Sequence, residues 1–303
     1  MIRNTRIPFI KYSPAFIALS VLVVLGSIVL MFTKGFNYGI DFEGGAKLAY
    51  QFAQPVTEGE VREALANSPF AEASVVRFGQ AKENRMSIKV TLPEKHAQIG
   101  HQMTAALETK FGEGQVKLER EETVGPRVGE EMRRKAWLTI IFSWLLMLIY
   151  IGYRFDFLYG PGAVLALVHD TVIVLGVFAL LGKELNLTIL AALLTIIGFS
   201  INDTIVVFDR IRENKARISK STIKDVVNAA INSTLARTLI TSFTLLLVVL
   251  ILFFKGGGTL HDFAFAMIVG VVVGTYSSIF VASPTYIGLY EAWPRIRGLW
   301  AKR

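Results

Sequence analysis

Apolar residues along this chain are gathered into runs rather than spread at a regular period. Six runs are long enough to cross a hydrocarbon core, which takes about 20 residues of helix: residues 15–32, 136–153, 157–182, 185–208, 238–254 and 263–290. Between the first and second runs lie about a hundred residues of another kind, enough for one small core. Alternating positions predict strands over 46–53, 74–78, 86–92 and 115–123. The Thr57-x-x-Glu60 spacing of a capping box opens a helix running to Asn67. A second helical pattern covers 94–111 and stops at Gly112 and Gly114. The order strand, helix, strand, strand, helix, strand is the ferredoxin-like split pattern. The predicted fold is therefore an α-helical membrane protein with six transmembrane helices, carrying a small α+β ferredoxin-like domain between helices 1 and 2.

Composition supports this reading. The 303 residues are 52% hydrophobic with a mean hydropathy of +0.48, more apolar than a soluble domain of this length. The pI near 9.6 raises nucleic acid as a partner, but the basic residues flank the apolar runs, where orientation in a bilayer explains them better. The absence of cysteine excludes disulfides, zinc–thiolate sites and cysteine nucleophiles. The first run exceeds a signal-peptide core and is followed by Thr33-Lys34-Gly35-Phe36 instead of a small-x-small site, so an uncleaved span is expected.

Charge then sets orientation. Arg3, Arg6 and Lys11 precede the first run; Arg210, Arg212, Lys215, Arg217, Lys220 and Lys224 follow the fourth; Arg295, Arg297, Lys302 and Arg303 close the chain. Six spans place all three groups on one side, the cytoplasmic one, while the opposite short loops hold Lys183 and Lys255. The expected division is residues 1–34 as cytoplasmic N-terminus and first helix, 35–135 as a periplasmic domain, 136–290 as helices 2–6 with a cytoplasmic loop at 209–236, and 291–303 as a basic cytoplasmic tail. In the periplasmic domain His96 and His101 are five apart, a poor metal spacing, and no motif frames a nucleophile. No metal site and no enzyme site are expected.

The chemistry lies in polar residues inside the runs. A charge at mid-bilayer costs about 2.5–3.5 kcal/mol on insertion scales, so it normally faces a bundle interior or water and has a partner. The third run carries His169-Asp170-Thr171. The fourth carries Thr188, Thr195 and Asn202 at intervals of seven, one helical stripe, with Asp203 beside it. The fifth begins at Arg237-Thr238, at a depth where Arg237 can meet Asp203. Three readings stay open on these residues: a structural ion pair, an acid solvated from the cytoplasm, or a proton relay. In the sixth run Ala266, Gly270, Gly274, Ser278 and Ala282 form a small-residue ridge suited to close helix packing, and Pro284 is expected to kink the last turns of the span.

Four motifs, in order and on the matching spans, resemble the SecF family, the smaller partners in bacterial SecDF protein-export complexes. They are Asn37-Tyr38-Gly39-Ile40-Asp41-Phe42-Glu43-Gly44-Gly45 after the first span and Val124-Gly125-Pro126-Arg127-Val128-Gly129-Glu130 before the second. Ala166-Leu167-Val168-His169-Asp170 comes next, in the third span, and the fourth holds the long stretch from Ser200 to Glu213, SINDTIVVFDRIRE. The resemblance implies a half-transporter of RND type that needs a homologous six-span partner, SecD, with the SecYEG channel nearby and an unfolded preprotein as passenger. It implies a multi-pass protein of the bacterial inner membrane that uses the proton gradient to promote late steps of translocation, with the proton, or else sodium, as coupling ion and no cofactor. It places the relay at Asp203 and Arg237, with Asn202 beside them and Asp170 in second rank. It also makes the motif residues Gly39, Asp41, Gly44, Gly45, Gly125 and Pro126 candidate hinges, while Gly270, Gly274 and Ser278 pack helices. Two alternatives stand beside it: a half-unit of an RND-type small-molecule or lipid exporter, and a scaffold that stabilises the translocase and conducts nothing.

Overall fold

A computed structural model describes residues 5–78, 83–91, 99–217 and 221–300. Arg3, His96, Lys220, Lys302, Arg303 and the first residues of the helix expected from Glu94 lie outside that set.

The first apolar run is α1 (Phe9–Thr33), followed by a two-residue strand β1 (Asn37–Tyr38) and a single turn α2 (Ile40–Glu43). The head comes next: β2 (Gly45–Phe52), α3 (Glu58–Leu65), β3 (Ser74–Arg77), β4 (Arg85–Val90), α4 (Ile99–Phe111) and β5 (Val116–Val124). Its sheet is antiparallel in the order β3-β4-β2-β5, the ferredoxin-like arrangement. Inward residues of β2 and β4 (Leu48, Tyr50, Met86, Ile88) pack with Val61, Leu65, Met103 and Leu107 of the two helices, forming a core of its own. The capping box forms in full, with Glu60 N–H donating to Thr57 Oγ1 at 3.3 Å and Thr57 N–H to Glu60 Oε2 at 2.7 Å. Those bonds hold the Glu60 carboxyl below its usual range.

Five long helical stretches complete the chain: α5 (Pro126–Arg154), α6 (Gly160–Leu181), α7 (Leu187–Arg217), α8 (Ile223–Lys255), and α9 (Gly258–Ser277) running through a π-helical turn (Ser278–Ala282) into α10 (Ser283–Trp300). With α1 they make six helical segments, among the described residues, long and apolar enough to span a membrane. A strand β6 (Glu184–Leu185) between α6 and α7 pairs in parallel with β1.

Two boundaries differ from the expectation. Most of 209–236 is helix rather than loop, because charged and apolar residues alternate on a helical period beyond both apolar runs. Arg237 thus sits well inside α8 instead of at its start. Nor does Pro284 make a simple kink. It lacks an N–H and its ring crowds the carbonyl one turn back; the preceding turn widens to a five-residue spacing, with Ser283 Oγ donating to Ser278 O at 2.9 Å.

The interior of the bundle belongs to α6, α7 and α9. α1, α5 and α8 present broad apolar faces outward, among them Leu22, Leu146 and Ile251. The small-residue ridge of α9 faces α7: a methyl group at Gly270 would press into Ile196, and one at Gly274 would lie 3.1 Å from Ser200 Cβ.

Candidate functional site

Close approach of α7 and α9 brings polar groups of three helices together in the apolar interior. Asp170 of α6 is 1% exposed and engages both oxygens. Its Oδ2 accepts from Ser200 Oγ of α7 at 2.6 Å and from Ser277 Oγ of α9 at 2.8 Å. Its Oδ1 shares a hydrogen bond with His169 Nδ1 at 2.9 Å, and the His169 ring stacks near Tyr276. The Tyr276 hydroxyl reaches α1, at 2.6 Å from Phe16 O and 2.8 Å from Ser20 Oγ. One turn further along α7, and just past the end of α9, Thr204 Oγ1 and Ser278 Oγ share a hydrogen bond at 2.9 Å. Sequence reasoning assigned no role to His169, Ser200, Thr204 or Ser277. Ser200 carried a usable signal, lying three residues before Asp203 and hence on the same helix face.

Asp203 is 2% exposed, and its Oδ2 has no hydrogen-bond partner among the described residues. No ion pair joins it to Arg237 among those residues. Counting from the head-side ends of their helices at about 1.5 Å per residue, Asp203 lies about 24 Å deep and Arg237 about 27 Å, so they share a level. Arg237 opens into a cavity of about 340 Å³ near the end of the bundle away from the head, lined also by Asn202, Asp209, Arg210, Glu213 and Thr234.

The stripe of Thr188, Thr195 and Asn202 does not face the acids. Thr195 and Asn202 are exposed on the outer side of α7, and Arg237, Thr241 and Thr244 are exposed on neighbouring α8. Asp203, one residue and about 100° on from Asn202, turns inward. The structure thus separates the four expected relay residues: Asp170 and Asp203 are buried, and Asn202 and Arg237 line the cavity.

The connector residues form packed joints. Gly39 N–H donates to Leu185 O at 2.7 Å, and Asp41 Oδ2 accepts from Leu187 N–H at 2.9 Å, at the start of α7. Gly44 and Gly45 have φ of 79° and 128°, which disfavour any side chain. A methyl group at Gly44 would strike Pro126 Cα, and one at Gly45 would strike Val90 O. Gly125 caps α5, with Pro126 in its first turn. His101 is exposed on α4.

The chain is similar over most of its length to known proteins. Residues 103–292 match the model described as "Protein export membrane protein SecD/SecF, C-terminal", and residues 29–56 match "SecD/SecF GG Motif". The chain is 43% identical to protein translocase subunit SecF of Vibrio alginolyticus over 91% of its own length and 88% of the relative's. It is 42% identical to the subunit of that name from Desulfurispirillum indicum, over 93% and 91%. A crystal structure of SecDF from Thermus thermophilus, titled a translocon-associated membrane protein, aligns with a TM-score of 0.83 at 38% identity, covering 96% of this chain. This chain spans only 39% of that longer one. A structure of SecDF in a "Super-membrane-facing form" aligns at 0.71 with 37% identity.

Proposed function

Because this chain belongs to the SecD/SecF family, as a SecF-type subunit of the protein-export translocase, we propose that it uses the proton gradient to drive late steps of polypeptide translocation across the bacterial inner membrane. One observation carries the coupling: Asp203 is buried among packed helices with an unpartnered oxygen, at the depth of an arginine that opens into a polar cavity. An acid so placed can gain a proton without breaking any hydrogen bond at that oxygen. One charge crossing the membrane potential releases about 2.3 kcal/mol per 100 mV. That matches the few kcal/mol separating two packed states.

The exposed polar seam of Thr195, Asn202, Arg237, Thr241 and Thr244 supports a partner. Arg237 stands at the edge of the apolar run of α8 and Thr195, Thr241 and Thr244 stand inside the runs, so the seam is better covered by protein with its own polar groups than by lipid. A homologous six-span half, SecD, supplies that cover by pseudo-symmetry. The SecYEG channel is the neighbour from which an unfolded preprotein emerges, and the head at 35–135 stands in the periplasm, with both termini cytoplasmic as the basic flanks require. The subunit is an energy coupler rather than an enzyme. The proton is its coupling ion, and no cofactor takes part.

The test is export of a preprotein into inner-membrane vesicles holding the complete complex, under imposed proton or sodium gradients, with wild type and Asp203→Asn. The expected result is loss of proton-stimulated export with normal assembly. Stimulation by sodium alone reassigns the ion; undiminished proton stimulation in Asp203→Asn leaves the scaffold reading.

A further inference from the structure

The head rests on the bundle through contacts centred on Glu184, a residue outside the four motifs. Glu184, in the short link between α6 and α7, sits under the face of the head sheet that α3 and α4 leave uncovered. Its Oε2 is 3.1 Å from Lys47 Nζ of β2, and its Oε1 is 3.4 Å from Lys89 Nζ of β4. Lys89 Nζ also donates to Tyr38 O and lies 3.5 Å from Glu43. The link itself is fastened to the bundle, since Lys183 Nζ is 2.5 Å from Asp262 at the start of α9. On the same side the Asp41 carboxylate and the Asn186 side chain accept from Leu187 N–H and Ile189 N–H, satisfying two of the free amides that begin α7. By contrast, side chains added at Gly35 and Gly125, where the chain enters and leaves the head, would meet nothing within 4 Å.

The geometry points to Glu184 as a positioning residue. With Lys47, Lys89 and Asp41 it clamps the head sheet to the outer ends of α6 and α7, so that displacement of these helices moves the head. α6 carries Asp170 and α7 carries Asp203, so the clamp joins the two acid-bearing helices to the one folded domain outside the membrane. A single exposed ion pair does little, but Glu184 bridges two strands, and both of its lysines are partly buried against the link. The inference rests on the proton-coupling reading and adds the route by which motion leaves the membrane.

The experiment uses full-length chain in the complete complex, in vesicles, with three readouts: complex recovery, proton flux, and the ratio of export with to export without a proton gradient. Variants are Lys47→Met, which removes a side chain whose polar contact is Glu184, then Glu184→Ala, Glu184→Gln and the Lys47→Met/Glu184→Ala pair. The clamp predicts wild-type recovery and flux, with gradient stimulation reduced about three- to tenfold in Glu184→Ala and less in Glu184→Gln. It also predicts that the pair is no worse than Glu184→Ala alone. Normal stimulation in Glu184→Ala, parallel loss of flux, or additive losses in the pair would each overturn it. Asp203→Asn, run alongside, separates the failures. If it keeps gradient stimulation, the relay reading has failed; if only the Glu184 and Lys47 variants keep it, the clamp alone has failed.

Discussion

Removing the two hydroxyls that hold Asp170 should destabilise the bundle far more than removing a comparable hydroxyl elsewhere on α7. Ser200→Ala and Ser277→Ala each delete a bond to the same carboxylate oxygen, at 2.6 and 2.8 Å. In water such charge-assisted bonds contribute about 1.5–3 kcal/mol. Between membrane helices measured values average only about 0.6 and reach about 1.7, because the separated helix finds other partners. Asp170 has few to find: on its own helix the neighbouring side chains are apolar apart from His169 and Thr171, and Thr171 already donates to Leu167 O. The upper part of the membrane range therefore applies, about 1–1.7 kcal/mol for each alanine. Because both hydroxyls serve one oxygen, the double variant should cost more than the sum, leaving that oxygen with neither. Thr195→Ala is the control, since its hydroxyl is exposed and bonded to Ala191 O at 2.8 Å, and its removal should cost under about 0.5 kcal/mol. Denaturant titration of the purified complex in mixed micelles, followed by tryptophan fluorescence, measures all four. Costs for Ser200→Ala and Ser277→Ala no larger than for Thr195→Ala would refute the claim that this network ties α6, α7 and α9.

Gly270→Leu drives a side chain into Ile196 across the tightest part of the α7–α9 contact; overpacking of about 1–3 kcal/mol is expected, with a lower thermal midpoint and poorer recovery of the complex. An unchanged midpoint would show that the ridge is not a close interface. In the head, Tyr50 is fully buried and donates to Gly100 O, and burial pushes its phenol up to about 12, opposed by the Thr104 hydrogen bond and helped by Glu121. A raised folded value means that its contribution is complete below about pH 10 and is lost as pH climbs toward 12, a decline of up to about 2–3 kcal/mol. Head stability should fall over that window in wild type and less steeply in Tyr50→Phe; identical alkaline profiles would contradict the assignment.

The spans were legible because twenty apolar residues in succession have few other folds open to them, and the head because its strands alternate and its first helix carries both halves of a capping box. Helix ends were less so. Hydropathy stops at the edge of the apolar run, but the hydrogen-bonded spiral does not, and α8 continues fourteen residues before Arg237. The period of seven correctly set Thr188, Thr195 and Asn202 on one face; which way that face turns depends on neighbours the period does not contain. The partners of Asp170 lie 30 and 107 positions away, and those of Glu184 are 137 and 95 positions back. Only the topology brings such pairs together; Ser200 alone was marked locally, by its place on the face of Asp203, and the pairing itself was not.

The two buried acids are not equivalent, and the difference assigns them separate tasks on the proposed reading. Asp170 already has hydrogen-bond partners at both oxygens, drawn from its own helix, α7 and α9, so a rearrangement there breaks contacts that hold the bundle together. Asp203 has an oxygen with no bond to break among the described residues, and Arg237, at a similar level, opens into the cavity. On the proposed reading the proton comes and goes at Asp203, while Asp170 anchors the helices against which the change is felt. The two are linked through adjacent residues: Thr204, next to Asp203, bonds Ser278, and Ser277, next to Ser278, bonds Asp170. Both serines sit where α9 widens into its π-helical turn ahead of Pro284, the place in that helix where the regular hydrogen-bond ladder is already interrupted and a shift of register displaces the fewest bonds. A change at Asp203 then acts on the junction of α7 and α9, and α7 is the helix whose outer end the head holds through Asp41.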